Sequence, residues 1–188
     1  MHAPRQSARF RLREGTADCH ERVDALFSSV DLASRRGYGE FLVAQASAFL
    51  PAERSLEAAG IDQVLHDWSL RRRSHLLVQD LTELGLPVPA TEVAPAPYGV
   101  PALLGWAYVL EGSRLGGKLL RREVPADLPT AFLSDAHPHA WKMMVDALDE
   151  QLTDTVAIDQ AITAARALFA RFERSGQQMN VRRNTDVA

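Results

Sequence analysis

Apolar positions along this chain recur at three- and four-residue spacing almost from end to end, the period of amphipathic helices that turn one face to a core. In "SARFRLREGTADCHERVDALFSS" the residues Phe10, Leu12, Ala17, His20, Val23 and Phe27 fall near one stripe, with arginines and acids elsewhere, and predict a first helix over about 8–28. Beyond "DLASRRG", where Ser34 is a candidate cap, "YGEFLVAQASAFLPAERSLEAA" predicts a second helix. It should bend at Pro51, because an interior proline loses one hydrogen bond and clashes with the preceding turn. "DWSLRRRSHLLVQDLTELG" predicts a third, ending at Gly85, and the proline-rich "LPVPATEVAPAPYGVP" a surface connection. "ALLGWAYVLEGSRLGGKLLRREV", "PHAWKMMVDALDEQL" and "AIDQAITAARALFARFERSG" predict three more helices, and the closing "VRRNTDVA" reads as frayed. No alternating strand-type run with hairpin turns and no fixed repeat interrupts the pattern. The expected architecture is an all-α helical bundle.

At 188 residues the chain suits one domain, expected to span 1–188 with its ordered core over about 8–176. A net charge of −3 argues against a general nucleic-acid binder, which would be more basic. Cys19 is the only cysteine, so the sequence offers neither an internal disulfide nor a cysteine cluster for zinc or iron–sulfur binding. The first residues lack the apolar core of a signal peptide, and no apolar run approaches the ~18 residues of a membrane span. A soluble, cytoplasmic protein is expected.

Two places in this helical pattern carry candidate chemistry. In "YVLEGSRLGGKLLRR" three glycines, Gly112, Gly116 and Gly117, stand inside a helix, each costing about 1 kcal/mol relative to alanine. Gly112 and Gly116 are one turn apart and leave a patch of bare backbone on one face. That patch suits a close helix crossing, or it lies over a flat ligand with its backbone groups free to hold water or a small gas. Spacing alone leaves both open.

The first helix carries the second. Arg13, Thr16, His20 and Asp24 share one face, and an imidazole that ligates a metal usually donates its other N–H to a carboxylate or carbonyl. Asp24 or the Thr16 carbonyl stands at helical reach for that. Cys19 is a competing ligand, but adjacent helix positions point about 100° apart, so only one of the two can face a pocket, and His20 is favoured. A lone histidine of this kind is more often a core or surface residue.

Together, "LREGTADCHERVDALF" and "YVLEGSRLGG" resemble the proximal and distal helices of heme oxygenases, particularly the bacterial branch with an E-G-S-x-L-G distal pattern. The order and separation of the two segments agree with that family, and "ARALFARFERSG" is similar to its last core helix. The resemblance implies an all-α fold with heme b sandwiched between the two helices, His20 as the axial iron ligand, and Gly112 and Gly116 pressing backbone against the opposite face. It implies ring opening to biliverdin, carbon monoxide and ferrous iron, with O2 and electrons from an external ferredoxin or flavin reductase. Ser113 becomes a candidate donor in the distal pocket, standing where animal-type members carry an aspartate. Arg13, with Arg121 or Arg122, would meet the heme propionates, and Lys118 is a weaker candidate; "KLLRR" also fits a solvated helix end favoured by the macrodipole.

Other features are weaker. "HPH" at 137–139 suits a cap or loop, "RRRSH" at 71–75 a docking patch for an anionic electron donor or a solvated charged face, and Trp68, Trp106 and Trp141 core or pocket wall. The rival readings are a heme carrier or sensor of the same fold without degradation activity, and a heme-free bundle whose glycines serve packing only.

Overall fold

The computed structural model describes residues 7–91 and 94–185, all of them helix or connection. The helices are α1 (Ala8–Phe27), α2 (Arg35–Ala58), α3 (Trp68–Arg71), α4 (Ser74–Glu83), α5 (Val100–Leu120), α6 (Ala131–Ser134), α7 (Ala140–Gln151) and α8 (Thr155–Thr185), with a 3₁₀ turn at Ile61–Gln63. α8 is the axis of the bundle, and α1, α2 and α5 pack along it. Leu12, Phe41, Leu56, Leu104, Ala161 and Leu168 are among the side chains removed from solvent between them. Each fully buried leucine or phenylalanine contributes about 1.5–3 kcal/mol of transfer free energy.

The long elements follow the apolar period, and the differences have identifiable causes. Ser34 caps α2 as its position suggests, its hydroxyl oxygen accepting from the Gly37 amide at 3.0 Å. α2 runs unbroken through Pro51, which is buried in the core. The predicted third helix is two: the chain is extended at Arg72, and α4 restarts at Ser74. The restart is set by a residue distant in sequence. The buried Glu53 carboxylate accepts from the Arg73 amide at 2.7 Å and the Ser74 amide at 2.9 Å, occupying donors that the first turn of α4 leaves free. Asp80 does the same for α6, accepting from the Ala131 and Phe132 amides. Burial raises the Asp80 pKa, while these amides pull it back down.

α8 does not stop near Gly176 but continues to Thr185; the last three residues of the expected frayed segment lie outside the described residues. Gly176 is a contact point rather than a terminator. A Cβ there would press on Leu26 and on the Phe27 ring of α1. Along the same seam Gly15 leaves room for Ile162, and Arg166 reaches both oxygens of Asp18 at 2.6 and 2.9 Å. Arg166 first, then Arg22, hold the Asp18 carboxyl well below the usual carboxylate range.

Gly105 of α5 lies directly against α8, where a Cβ would collide with the Ala161 carbonyl. Backbone on both sides cannot yield. Gly105→Ala is expected to destabilise the protein by about 3 kcal/mol, at the upper end for overpacking, as read from urea unfolding.

Candidate active site

Gly112 and Gly116 behave differently from every glycine just described. A Cβ at either would meet nothing within 4 Å, so no neighbouring helix occupies the patch. Helix crossing is served elsewhere, by Gly105 against Ala161 and by Gly117, whose face turns to Leu133. The bare backbone at Gly112 and Gly116 therefore borders open space, flanked by the exposed Leu115 and Leu119. An exposed apolar rim around bare backbone suits a large, flat apolar ligand.

On α1 the buried Thr16 donates its hydroxyl to the Leu12 carbonyl at 2.8 Å, and it acts on the Tyr108 phenol of α5, one turn before the patch. Four residues further along each helix stand His20 and Gly112. The His20 ring is largely exposed, sits edge-on to Phe169 of α8 with ring centroids 6.0 Å apart, and places Nδ1 2.9 Å from the Asp24 carboxylate. A metal-ligating imidazole usually donates its other ring N–H to a carboxylate, and Asp24 stands where it could accept one. Cys19, the alternative ligand, is buried, with its sulfur 3.4 Å from an Arg22 nitrogen.

The cations divide into two groups. Arg13 is exposed on α1, and together with Arg9 it acts on Tyr108, partly offsetting the burial that raises the phenol pKa. Arg9 stacks over the Trp141 ring at 5.5 Å from its centroid, and Trp141 packs on Tyr108 at 5.8 Å. Arg9, Arg13, Tyr108 and Trp141 thus make one cationic, aromatic end. From Tyr108 to Arg121 the α5 axis rises about 20 Å. Arg121 donates to the Val124 carbonyl at 3.0 Å and acts on the buried Tyr38, while Arg122 is exposed and Lys118 points to solvent beside it. The structure does not bring Arg121 or Arg122 together with Arg13.

No family model matches the chain. It is 34% identical over 130 residues to a heme oxygenase of Xanthomonas campestris pv. campestris, across 61% of this chain and 78% of that one. It is 31% identical over 150 residues to heme oxygenase PigA of Pseudomonas aeruginosa, across 74% of this chain and 76% of that one. The chain belongs to the heme oxygenase family. Its fold agrees. The heme oxygenase of Neisseria meningitidis, solved with NO and CO bound, superimposes with a TM-score of 0.80 at 24% identity over 93% of this chain and 92% of that one. That of Leptospira interrogans gives 0.69 at 15% identity over 92% and 100%.

In this member of the heme oxygenase family Ser113, the residue after Gly112, is tied to the protein interior. The Ser113 hydroxyl donates to the Leu110 carbonyl and accepts from the Arg73 guanidinium, both at 2.6 Å. Arg73 also donates to the Leu110 carbonyl at 2.6 Å and lies between the Phe49 and Phe132 rings, 4.9 Å from each centroid. It is buried, and desolvation with the nearby Arg114 lowers its pKa to about 9, which leaves it charged at neutral pH. "RRRSH" is thus no solvated run: Arg71 and Arg73 are both buried, and the exposed Arg72 pairs with Glu57 at 2.6 Å. Sequence reasoning missed Arg9 and took Arg73 only as part of the charged run at 71–75, because no local spacing marks either of them.

Proposed function

We propose that this protein opens heme to biliverdin, carbon monoxide and ferrous iron, and that it does so as a single domain with heme b seated between α1 and α5. The observation that carries the reading is the open backbone at Gly112 and Gly116 with its apolar rim of Leu115 and Leu119, four residues beyond the Tyr108 on which Thr16 of the histidine-bearing helix acts. When bound, the heme supplies the iron at which O2 is reduced and is itself the ring that is cut.

The chain supplies the rest. His20 Nε2 ligates the iron, with Asp24 fixing the ring and its tautomer. A neutral imidazole pushes less electron density to iron than a thiolate does, which suits chemistry that must not cleave the O–O bond early. Gly112 and Gly116 let backbone approach the other face of the heme, excluding bulk water while their polar groups order a few molecules. Ser113 has committed its proton to Leu110, so toward the pocket it serves as an acceptor that orients water. Propionates share one edge of the heme, and Arg13 and Arg9 at the Tyr108 end fit them better than Arg121 and Arg122.

The sequence carries no flavin or nicotinamide motif, so electrons come from a separate ferredoxin or flavin reductase. No described helix is long and apolar enough to cross a membrane. We place the reaction in the cytoplasm, which suits a lone buried thiol and supplies the reductant.

Reconstitution with hemin tests this reading. The complex should show the Soret band of a histidine-ligated heme; with ascorbate or a ferredoxin system and O2, the band should decay as biliverdin absorbance grows. A stable band with no biliverdin would leave a heme carrier, and no Soret shift would exclude both.

A further inference from the structure

Behind the glycine patch, on the opposite side of α5, lies a buried cluster of charge that neither the ligand-facing residues nor the core requires. Glu111 and Arg114 flank Gly112 and Ser113 and are each almost fully buried. One Glu111 oxygen, Oε2, stands 3.3 Å from Arg114 Nε and 3.5 Å from an Arg71 nitrogen. Arg71 reaches Asp67 at 2.8 Å and the Ala140 carbonyl at 3.1 Å. Arg114 donates to the Arg71 carbonyl at 2.7 Å and pairs with Asp135. His137 closes the rim, with Nε2 3.6 Å from Asp67. Three separate pieces of chain meet here: α3, α5 and the connection from α6 to α7.

Burying this many charges is expensive, and a core of apolar residues would be at least as stable. What the cluster supplies instead is directional. Each arginine has a carboxylate of its own, Asp67 for Arg71 and Asp135 for Arg114. Glu111 is the extra one, and its single oxygen bridges the two pairs across the back of the turn that carries Gly112.

We propose that Glu111 is a positioning residue of the distal helix: by bridging Arg71 and Arg114 it clamps the Gly112–Gly116 turn of α5 to α3 and the α6–α7 connection, fixing how its bare backbone stands over the ligand. This rests on the reading that Gly112 and Gly116 face heme. The clamp itself does not, because its ion pairs are all made between residues of the protein. A turn with three helix-disfavouring glycines needs such an external brace, since its own propensity does not hold it. An ionic bridge resists the rotation and sliding that an apolar contact allows.

Glu111→Gln isolates the bridge. The shape is kept, Arg71 and Arg114 retain one carboxylate each, and the cluster goes from three carboxylates against two guanidiniums to two against two, so the variant is expected to fold. Hydrogen exchange of the heme-free protein should speed up about tenfold at the amides of residues 112–117, with the amides of α1 and α8 unchanged. In the reconstituted enzyme kcat should fall about tenfold with KM for hemin within about twofold, and the mixture of biliverdin isomers should broaden. Should Glu111→Gln misfold, Asp135→Asn loosens the same clamp from the other side and should move every readout in the same direction by less. Unchanged or uniformly faster exchange would overturn the clamp. Local loosening with unchanged kcat and isomer pattern would overturn its role over the ligand. Failure of the unmodified protein to bind hemin would overturn the site reading instead, leaving the exchange result to judge the clamp alone.

Discussion

His20→Ala abolishes the histidine-ligated hemin spectrum and lowers the rate of ring opening by at least about a hundredfold, more than the ten- to hundredfold typical for loss of an outer partner of a metal ligand. The side chain is largely exposed and meets the core at the edge of Phe169, so the heme-free fold should melt within about 1 kcal/mol of the unmodified protein. That separation is what makes the experiment informative. Loss of the spectrum with the fold intact identifies a ligand, and added imidazole should restore much of the Soret band by occupying the vacated space. An unchanged spectrum would sink the assignment and put the iron elsewhere. Asp24→Asn tests the next shell: it keeps the size of the partner but removes its charge, and should weaken heme retention without erasing the histidine signature.

The glycine patch makes a prediction of opposite sign for stability and function. A Cβ at Gly112 meets nothing in the heme-free protein, so Gly112→Ala should raise stability by about 1 kcal/mol through helix propensity alone. Gly112→Leu should leave the heme-free fold intact and yet weaken hemin binding by roughly tenfold to a hundredfold, the equivalent of about 1–3 kcal/mol of overpacking against a ligand that cannot shrink. Unfolding curves and hemin titrations read the two effects independently. Gly112→Leu protein that binds hemin with unmodified affinity and spectrum would refute the distal wall. The comparison with Gly105 sharpens this, because there the same added methyl meets the Ala161 backbone and must destabilise whatever the ligand does.

The two glycines show how far the sequence could be read. Spacing located the patch and its cost but left a helix crossing and a ligand face equally open, because both need a missing side chain on the same stripe. The choice rests on which element stands opposite, and that is a property of the packed bundle. The arginines are a second case. "RRRSH" reads as a charged surface because charge normally seeks water, yet the extended residue Arg72 turns its two neighbours inward, where Arg73 finds Leu110 and Ser113 and Arg71 finds Asp67 and Glu111. Glu53, 20 residues before Arg73, makes that break in the helix by capping α4.

The sequence by itself determined the long helices, the face shared by His20 and Asp24, and the bare stripe at Gly112 and Gly116, because each depends on a period of three to four residues and is settled within one helix. Only the tertiary structure decided that this stripe borders open space, that Arg13 acts at Tyr108 near the middle of α5 while Arg121 stands just past its last residue, and that buried charge lies behind the Gly112 turn. Those facts depend on contacts between segments far apart in the chain, whose geometry is set when the helices pack.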